Sequence, residues 1–179
     1  MKPSVLIPLF LILAPSPLLA GPELDPLREI AIQEGGRIKP LDTFARETAR
    51  RVGGAKPFTG GESILGLDPI EWILSMLAAP ERWRGEPIVK VTHAGLREAA
   101  GLPAGKDRYS FTELVGHAGF LKAAEAAHEK QRKDPEAKLD PVEREVAQLY
   151  DTLSLLASIF SGEALRVVPH PSDPRATWF

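Results

Sequence analysis

The sequence contains no cysteine, and this absence removes several classes of chemistry at once. A chain without thiols forms no disulfide, offers no thiolate to zinc, has no cysteine nucleophile and cannot carry haem on a Cys-x-x-Cys-His motif. Aromatic residues make up only 7% of the 179 residues. Basic side chains do not outnumber acidic ones, since the formal net charge is −2. No overall positive field exists to hold a phosphate backbone, so nucleic-acid binding is not expected.

The longest apolar segment lies at the amino terminus. Lys2 precedes this segment, and residues 3–20 carry no charge. The segment ends with the small residues Ala20 and Gly21. This arrangement is typical of a secretory signal peptide, so we expect residues 1–20 to be cleaved and residues 21–179 to form a periplasmic or other extracytoplasmic domain. An uncleaved anchor is the alternative, because about 20 apolar residues span a bilayer, although prolines interrupt this helix.

Beyond the signal, the chain has a globular balance, with 44% hydrophobic and 26% charged residues. We expect one α+β domain, predominantly helical with a small sheet and a Pro-rich tail at 169–179. An acidic cap, a proline and a glutamate in succession indicate two helix starts, at Asp68 and Asp140. Helices are predicted over 69–79, over 94–100, from Ser110 through Ala118 and Leu121 to about Lys130, and from Asp140 to Gly162, with a further helix capped by Asp42 or Thr43.

The helix after Asp140 is expected to form the centre of the core. Its apolar residues recur at helical spacing, at Val142, Val146, Leu149, Leu153, Leu156 and Phe160. In the helix near Asp42, residues Phe44, Ala45, Thr48 and Val52 are predicted to form one buried side.

Strand signals are short. They cover 28–33, with Ile30 and Ile32 on one face, then 87–91 and 165–168. Trp72 and Trp83 fit a buried position better than a binding surface. The apolar pair Trp178-Phe179 is expected either to dock on the domain or to lead into a longer natural chain.

The segment Gln33–Glu47 concentrates charge at the start of a helix. Its cations, with those that follow, are Arg37, Lys39, Arg46, Arg50 and Arg51, and the acids Asp42 and Glu47 lie among them. The predicted binding residues are Arg37, Lys39, Asp42, Arg46, Glu47 and Arg50. One interpretation is a site for a carboxylate, such as a haem propionate, or for an acidic partner. The other is an internal ion-pair network that fixes the turn.

The string Ile-Gln-x-Gly-Gly-Arg-Ile-Lys-Pro-Leu-Asp-Thr-Phe-Ala-Arg-Glu, at residues 32–47, resembles the extracytoplasmic region of bacterial system II cytochrome c biogenesis proteins, the membrane cytochrome c synthetases. The resemblance covers most of residues 27–178. It continues through Phe58, Gly66-Leu67-Asp68-Pro69, the Leu77, Pro80 and Trp83 pattern, residues 88–91, Glu143 to Gly162, Leu165 and Pro169.

In the family this region joins transmembrane parts that carry a Trp-rich haem motif with flanking histidines. The sequence has no Trp-Trp-Asp motif, no evident pair of axial histidines and no apolar span after the signal. The resemblance therefore implies a non-catalytic module of cytochrome c biogenesis that docks a membrane haem-handling partner or apocytochrome c near the membrane. The module would bind haem at most transiently. The other possibility that the resemblance implies is a piece of a longer membrane protein, cut off just before a membrane span.

The four histidines are His93, His117, His128 and His170, and their spacing does not match a metal site. We interpret them as surface or capping residues. His117, near Gly116 and Gly119, is the one candidate haem ligand. A periplasmic haem or carboxylate carrier is the alternative function.

A cell-envelope hydrolase is a third alternative, and it requires two carboxylates facing each other across a cleft. The sequence has neither a Gly-x-Ser-x-Gly nucleophile elbow nor a phosphate-binding loop. An enzyme is therefore not expected.

Overall fold

The computed structural model describes residues 24–54, 65–170, 172–173 and 176–178. The predicted signal peptide, Phe58 and Phe179 lie outside these ranges. The helices within them are α1 (Asp25–Arg28), α2 (Leu41–Gly53), α3 (Pro69–Ala78), α4 (Pro80–Gly85), α5 (Ala94–Ala100), α6 (Phe111–Val115), α7 (Ala118–Lys133) and α8 (Pro141–Phe160). The strands are β1 (Ala31–Glu34), β2 (Arg37–Pro40), β3 (Val89–Lys90) and β4 (Arg108–Tyr109). A predominantly helical α+β domain is confirmed.

The segment before α2 is a β-hairpin, whereas the sequence predicts only a turn that leads into the helix. β1 pairs with β2 in antiparallel register, with Glu34 opposite Arg37. The two-residue loop is Gly35-Gly36, with φ of 59° and 76°. Two successive positive φ angles turn the chain in the sense that strand twist favours, and glycine adopts them without strain.

The strand predictions are only partly correct. The predicted strand at 28–33 begins later, at Ala31, because residues 25–28 form α1. Ile32 is buried while Ile30 is partly exposed, so the two do not share a buried face. The predicted strand at 165–168 is reduced to a single bridge, in which the backbone N–H of Gln33 donates to the Arg166 carbonyl at 3.0 Å. The expected small sheet is in fact two separate two-stranded sheets.

Helix α8 forms the centre of the core, as predicted. Its residues Val146, Leu149, Leu153, Leu156 and Phe160 are buried, and Val142 packs at the edge of the cluster. α8 contacts α3, α5, α6 and α7. The Asp140 and Asp68 capping boxes that start α8 and α3 are both present.

The helix predicted from Ser110 to Lys130 is divided into α6 and α7. The Ser110 capping box is present, but α6 ends at Gly116 and α7 begins after His117. Leu121 is therefore exposed, and Phe120 points into the core instead. The break lets Gly119 approach α5, since a Cβ there would lie 2.2 Å from the Ala100 carbonyl oxygen.

All three tryptophans are buried. The rings of Trp72 and Trp83 contact edge to face with centroids 6.4 Å apart. Trp178 docks on the domain, because its backbone N–H donates to Gln33 Oε1 at 2.8 Å. Gln33 Nε2 also donates to the Ala176 carbonyl at 3.2 Å, so one side chain holds the described part of the tail.

Helix α2 has the predicted buried side but not the predicted cap. Phe44, Ala45, Thr48 and Val52 are buried. The helix begins at Leu41 after Pro40, whose backbone is extended and provides no side-chain cap. Asp42 and Thr43 lie inside the first turn, so the capping prediction is wrong. No helix among the described residues has the length and apolar character required to cross a bilayer.

Candidate functional site

The six predicted binding residues lie on β2 and on the outer side of α2. We call this set, Arg37, Lys39, Asp42, Arg46, Glu47 and Arg50, the charged bend. The hairpin brings it together, because β2 leads directly into α2 without a linker. The structure divides the set into residues held by ion pairs and residues without them.

Lys39 ties the hairpin to α2. Its Nζ donates to Glu34 Oε2 at 2.8 Å and to Glu47 Oε2 at 2.6 Å. Burial favours the neutral amine, but these two hydrogen bonds outweigh it and raise the pKa of Lys39. Lys39 therefore stays charged and fixes the angle between β2 and α2.

Asp42 lies between two arginines. Oδ1 accepts from Arg28 Nη1 at 2.8 Å, and Oδ2 accepts from Arg46 Nε at 2.7 Å. The Arg46 hydrogen bond, with that of Arg28, lowers the pKa of Asp42 despite partial burial. The same contact raises the pKa of Arg46. Asp42 and Arg46 thus form an ion pair within the fold.

Arg28 and Asp68 belong to this network, and the sequence analysis did not identify them as site residues. Arg28 Nη1 lies 3.3 Å from Asp68 Oδ1, while its Nε donates to Asp25 at 3.1 Å. Arg28 therefore links α1 to the first turns of α2 and α3. No spacing rule relates residues 14 and 40 positions apart, so the sequence held no local signal for these pairs.

Arg37 and Arg50 are exposed and form none of the ion pairs that the described residues show, and the same holds for Arg51 beyond the charged bend. Next to Arg37, Ile38 is 57% exposed. The network interpretation thus accounts for Lys39, Asp42, Arg46 and Glu47. A docking role remains open for Arg37 and Arg50.

His117 lies at the junction of α5 and α7, on different elements from the charged bend. It precedes α7 but makes no side-chain cap, and its Nδ1 is buried without a hydrogen-bond partner among the described residues. Its ring lies beside the backbone of Gly101 and Gly119. α7 packs on α5, α6 and α8, whereas α2 packs on α1, α3 and the strands. The predicted haem ligand and the predicted carboxylate-binding cations therefore lie on different elements around one hydrophobic core.

The other histidines have structural roles or lie at the surface. His93 caps α5 by accepting from the Leu96 amide at 3.1 Å, as the capping interpretation predicted. The His128 ring packs edge to face on Tyr150 at 4.7 Å. His170 Nδ1 accepts from the Asp173 amide at 3.1 Å. Within the described ranges, no group of three or more acidic or histidine side chains is placed to hold a metal ion.

A cleft of about 400 Å³ lies between β3 and α8. It is lined by Arg51, Val89, Lys90, Val91, Thr92, His93, Leu96, Glu145, Gln148, Leu149, Asp151 and Thr152. Neither His117 nor the residues of the charged bend line it, so it does not combine the two haem-binding features that the sequence suggested.

Comparison with known proteins shows a distant relationship. No protein-family model matches the chain. The chain is similar to Protein NrfI of Wolinella succinogenes, with 26% identity over 143 residues. The matched part is 80% of this chain but 15% of the relative, so the chain spans only a small part of that protein's length.

Proposed function

We propose that this protein is a non-catalytic, exported module of cytochrome c biogenesis that docks a membrane haem-handling partner or apocytochrome c. The similarity to Protein NrfI points to cytochrome c biogenesis in general. The sequence of residues 32–47, which resembles system II proteins, narrows the proposal to that machinery. Export follows from the predicted signal at residues 1–20.

The observation that carries the docking role is the division of charge in the charged bend. The paired residues fix the backbone of β2 and α2, while Arg37 and Arg50 stay exposed and unpaired among the described residues. A surface whose framework is held rigid loses little conformational freedom on binding. Exposed arginines can then form bidentate hydrogen bonds to carboxylates of a partner.

Ile38 is exposed on the other face of β2, opposite Gln33, because successive side chains of a strand point to opposite faces. The surface that Arg37 and Arg50 offer is therefore cationic without an apolar centre. The partner surface that fits it is acidic. Such a surface would be provided by a folded membrane partner or by a segment of apocytochrome.

The test is co-purification under mild extraction from cells that make cytochrome c. The wild-type protein is expected to retain a cytochrome c biogenesis membrane protein or apocytochrome. The double variant Arg37→Glu/Arg50→Glu is expected to lose it. Lys122→Glu, an exposed charge reversal on α7, is the matched control. Retention of no such protein by the wild type, or equal retention by all three, contradicts the proposal.

The second candidate is a haem or carboxylate carrier, which the buried, unpartnered Nδ1 of His117 favours. If haemin binds here, His117 would be its protein ligand, and α5 and α7 would have to move apart, since Gly119 lies against the Ala100 carbonyl. Titration of haemin into the purified protein separates the candidates. A Soret shift that disappears in His117→Ala or Arg37→Ala supports the carrier, and no shift supports the docking module.

The hydrolase alternative has no support in the described residues. Glu71 is the buried acid, and its Oε2 accepts from the Asp68 amide as part of a helix cap. The acids of the cleft, Glu145 and Asp151, both come from α8 and remain in contact with solvent. Two buried carboxylates that face each other across a cleft are therefore not found there.

A further inference from the structure

The cleft between β3 and α8 has the features of a groove for an extended chain. We call it the β3 groove. One side is the continuous run Val89–His93 and the opposite side is α8. Leu96 and Leu149, both buried, contribute apolar surface to the lining. Glu145 and Asp151 are about 9 Å apart along α8, which is the length of about three extended residues.

Among the described residues, β3 pairs with β4 along one edge and with no strand along the other. The Val91 amide donates to the Asp107 carbonyl at 2.8 Å, which identifies this pair as the hydrogen-bonded type in the antiparallel ladder. The register alternates, so Lys90, opposite Arg108, belongs to the pair that is not hydrogen-bonded. The N–H and C=O of Lys90 therefore point away from β4. No hydrogen bond among the described residues uses them.

The charged side chains of the groove have no partners within the described part of the chain. Arg51 and Lys90 come from α2 and β3, whereas Glu145 and Asp151 come from α8. None of the four takes part in an ion pair or a side-chain hydrogen bond there. By contrast, most charges of the charged bend are paired. Cations on one pair of elements and anions on another match a ligand that carries both signs of charge.

We propose that the β3 groove binds an extended segment of another polypeptide, which adds a strand to the free edge of β3. The segment's backbone pairs with the N–H and C=O of Lys90, and an apolar side chain rests near Leu96 and Leu149. An acidic side chain of the segment faces Arg51 and Lys90, and a basic one faces Glu145 and Asp151. Strand addition of this kind takes its affinity from main-chain hydrogen bonds and its specificity from the side chains.

A polypeptide fits the groove better than a small ion. A small anion would use Arg51 and Lys90 but would leave the outward Lys90 carbonyl and both acids without a function. An extended chain supplies N–H donors, C=O acceptors and side chains of both signs along one line. This site differs from the charged bend, so it does not depend on the docking role proposed above.

The experiment selects ligands from a library of immobilised eight-residue peptides in which valine alternates with randomised positions. The full-length protein is compared with Arg51→Glu and Asp151→Lys, both exposed positions. Lys122→Glu and Glu125→Lys, exposed on α7, are the matched controls. The wild type and the controls are expected to select peptides that contain both glutamate and lysine or arginine.

Each charge reversal in the groove is expected to weaken the selected peptides at least about tenfold, and methylation of the peptide's pairing amides should have a similar effect. Amide exchange at Lys90 is expected to slow when peptide binds, since its N–H becomes bonded. Arg37→Glu/Arg50→Glu should bind the peptides as the wild type does, which separates this site from the charged bend.

Three results overturn the proposal. The first is that no peptide is selected, or that both reversed variants select as the wild type does. The second is binding that leaves Lys90 exchange unchanged. The third is that inorganic phosphate binds in the groove while no peptide does, which identifies a simple anion site.

Discussion

At the scale of single residues, the molecule separates charges that hold the fold from charges that face solvent. Arg28 alone connects Asp25, Asp42 and Asp68, which lie at the starts of three helices. The contacts with Asp42 and Asp68 are partly buried, so they are less screened by water than the exposed contact with Asp25. Arg37 and Arg50 have no such role in the described structure.

Replacement of Asp42 tests this network through its pH dependence. The pKa of Asp42 is lower in the folded protein than in the unfolded chain, so its ionised carboxylate stabilises the fold. This contribution is complete above about pH 4, the unfolded pKa, and is lost as pH falls through the folded pKa. Asp42→Asn is expected to reduce the free energy of unfolding by about 1 to 2 kcal/mol at pH 7. The difference from wild type should shrink below pH 4, as measured by urea denaturation.

Glu125→Gln is the matched control, because Glu125 is exposed on α7 and forms no ion pair in the described residues. It should cost less than about 0.5 kcal/mol at any pH. A cost for Asp42→Asn that does not change between pH 7 and pH 3 contradicts the network.

The two predicted proline-containing caps should differ in strength. Asp140 only caps α8, whereas Asp68 caps α3 and also receives Arg28. Asp140→Ala is expected to cost about 1 kcal/mol, and Asp68→Ala about 0.5 to 1 kcal/mol more. Chemical denaturation of both variants measures this, and equal costs argue against a structural role for the Arg28 contact.

At the scale of elements, most local signals for helix starts were reliable, but the cap predicted at Asp42 or Thr43 does not form. Capping boxes at Asp68, Ser110 and Asp140 all form, and the apolar period of α8 gives its buried face correctly. β2 was missed although its pairing is local, since Gly35 and Gly36 form the two-residue loop of a hairpin. This Gly-Gly pair was interpreted as a turn that leads into the helix. Features that depend on contacts between elements were missed as well.

The division of α6 from α7 is a case of this kind. Leu114, Ala118, Leu121 and Ala124 suit one continuous helix. The break at Gly116 instead lets the start of α7 pack against the end of α5, with Gly119 in contact with the Ala100 carbonyl. That requirement comes from packing between helices and not from the period of either one.

Gly119→Ala tests this close approach. The new methyl group would overlap the Ala100 backbone, so α5 and α7 must move apart. We expect a loss of about 1 to 3 kcal/mol in the free energy of unfolding. Gly85→Ala is the control, since a Cβ at Gly85 meets nothing within 4 Å. Equal stability of the two variants would show that the contact is not tight.

At the scale of the whole molecule, residues far apart in sequence meet at the hairpin. Gln33 is buried, and its amide holds both Ala176 and Trp178. The local sequence around Gln33 does not indicate that its side chain binds residues more than 140 positions away. The candidate site shows the same limit, because its charged residues were found from the sequence but the Arg28 and Asp68 contacts were not.

Gln33→Ala is expected to release the tail while leaving the helical core folded. The Trp178 ring should become solvent-exposed, which shifts tryptophan emission to longer wavelength, since Trp72 and Trp83 stay buried. Gln33→Ala combined with Trp178→Phe should lack this shift and serves as the control. Unchanged emission in Gln33→Ala would mean that other contacts hold the tail.

The central claim is that the unpaired face of the charged bend contacts a cytochrome c biogenesis partner. The most direct test places a photo-crosslinking benzoylphenylalanine at Thr43, which is half-exposed two turns before Arg50 on the same side of α2, and a second one at Leu121, which is exposed on α7. In cells that make cytochrome c, position 43 is predicted to crosslink to a biogenesis membrane protein or apocytochrome, and position 121 is not. No crosslink at position 43, or the same crosslinks at both positions, would contradict the account.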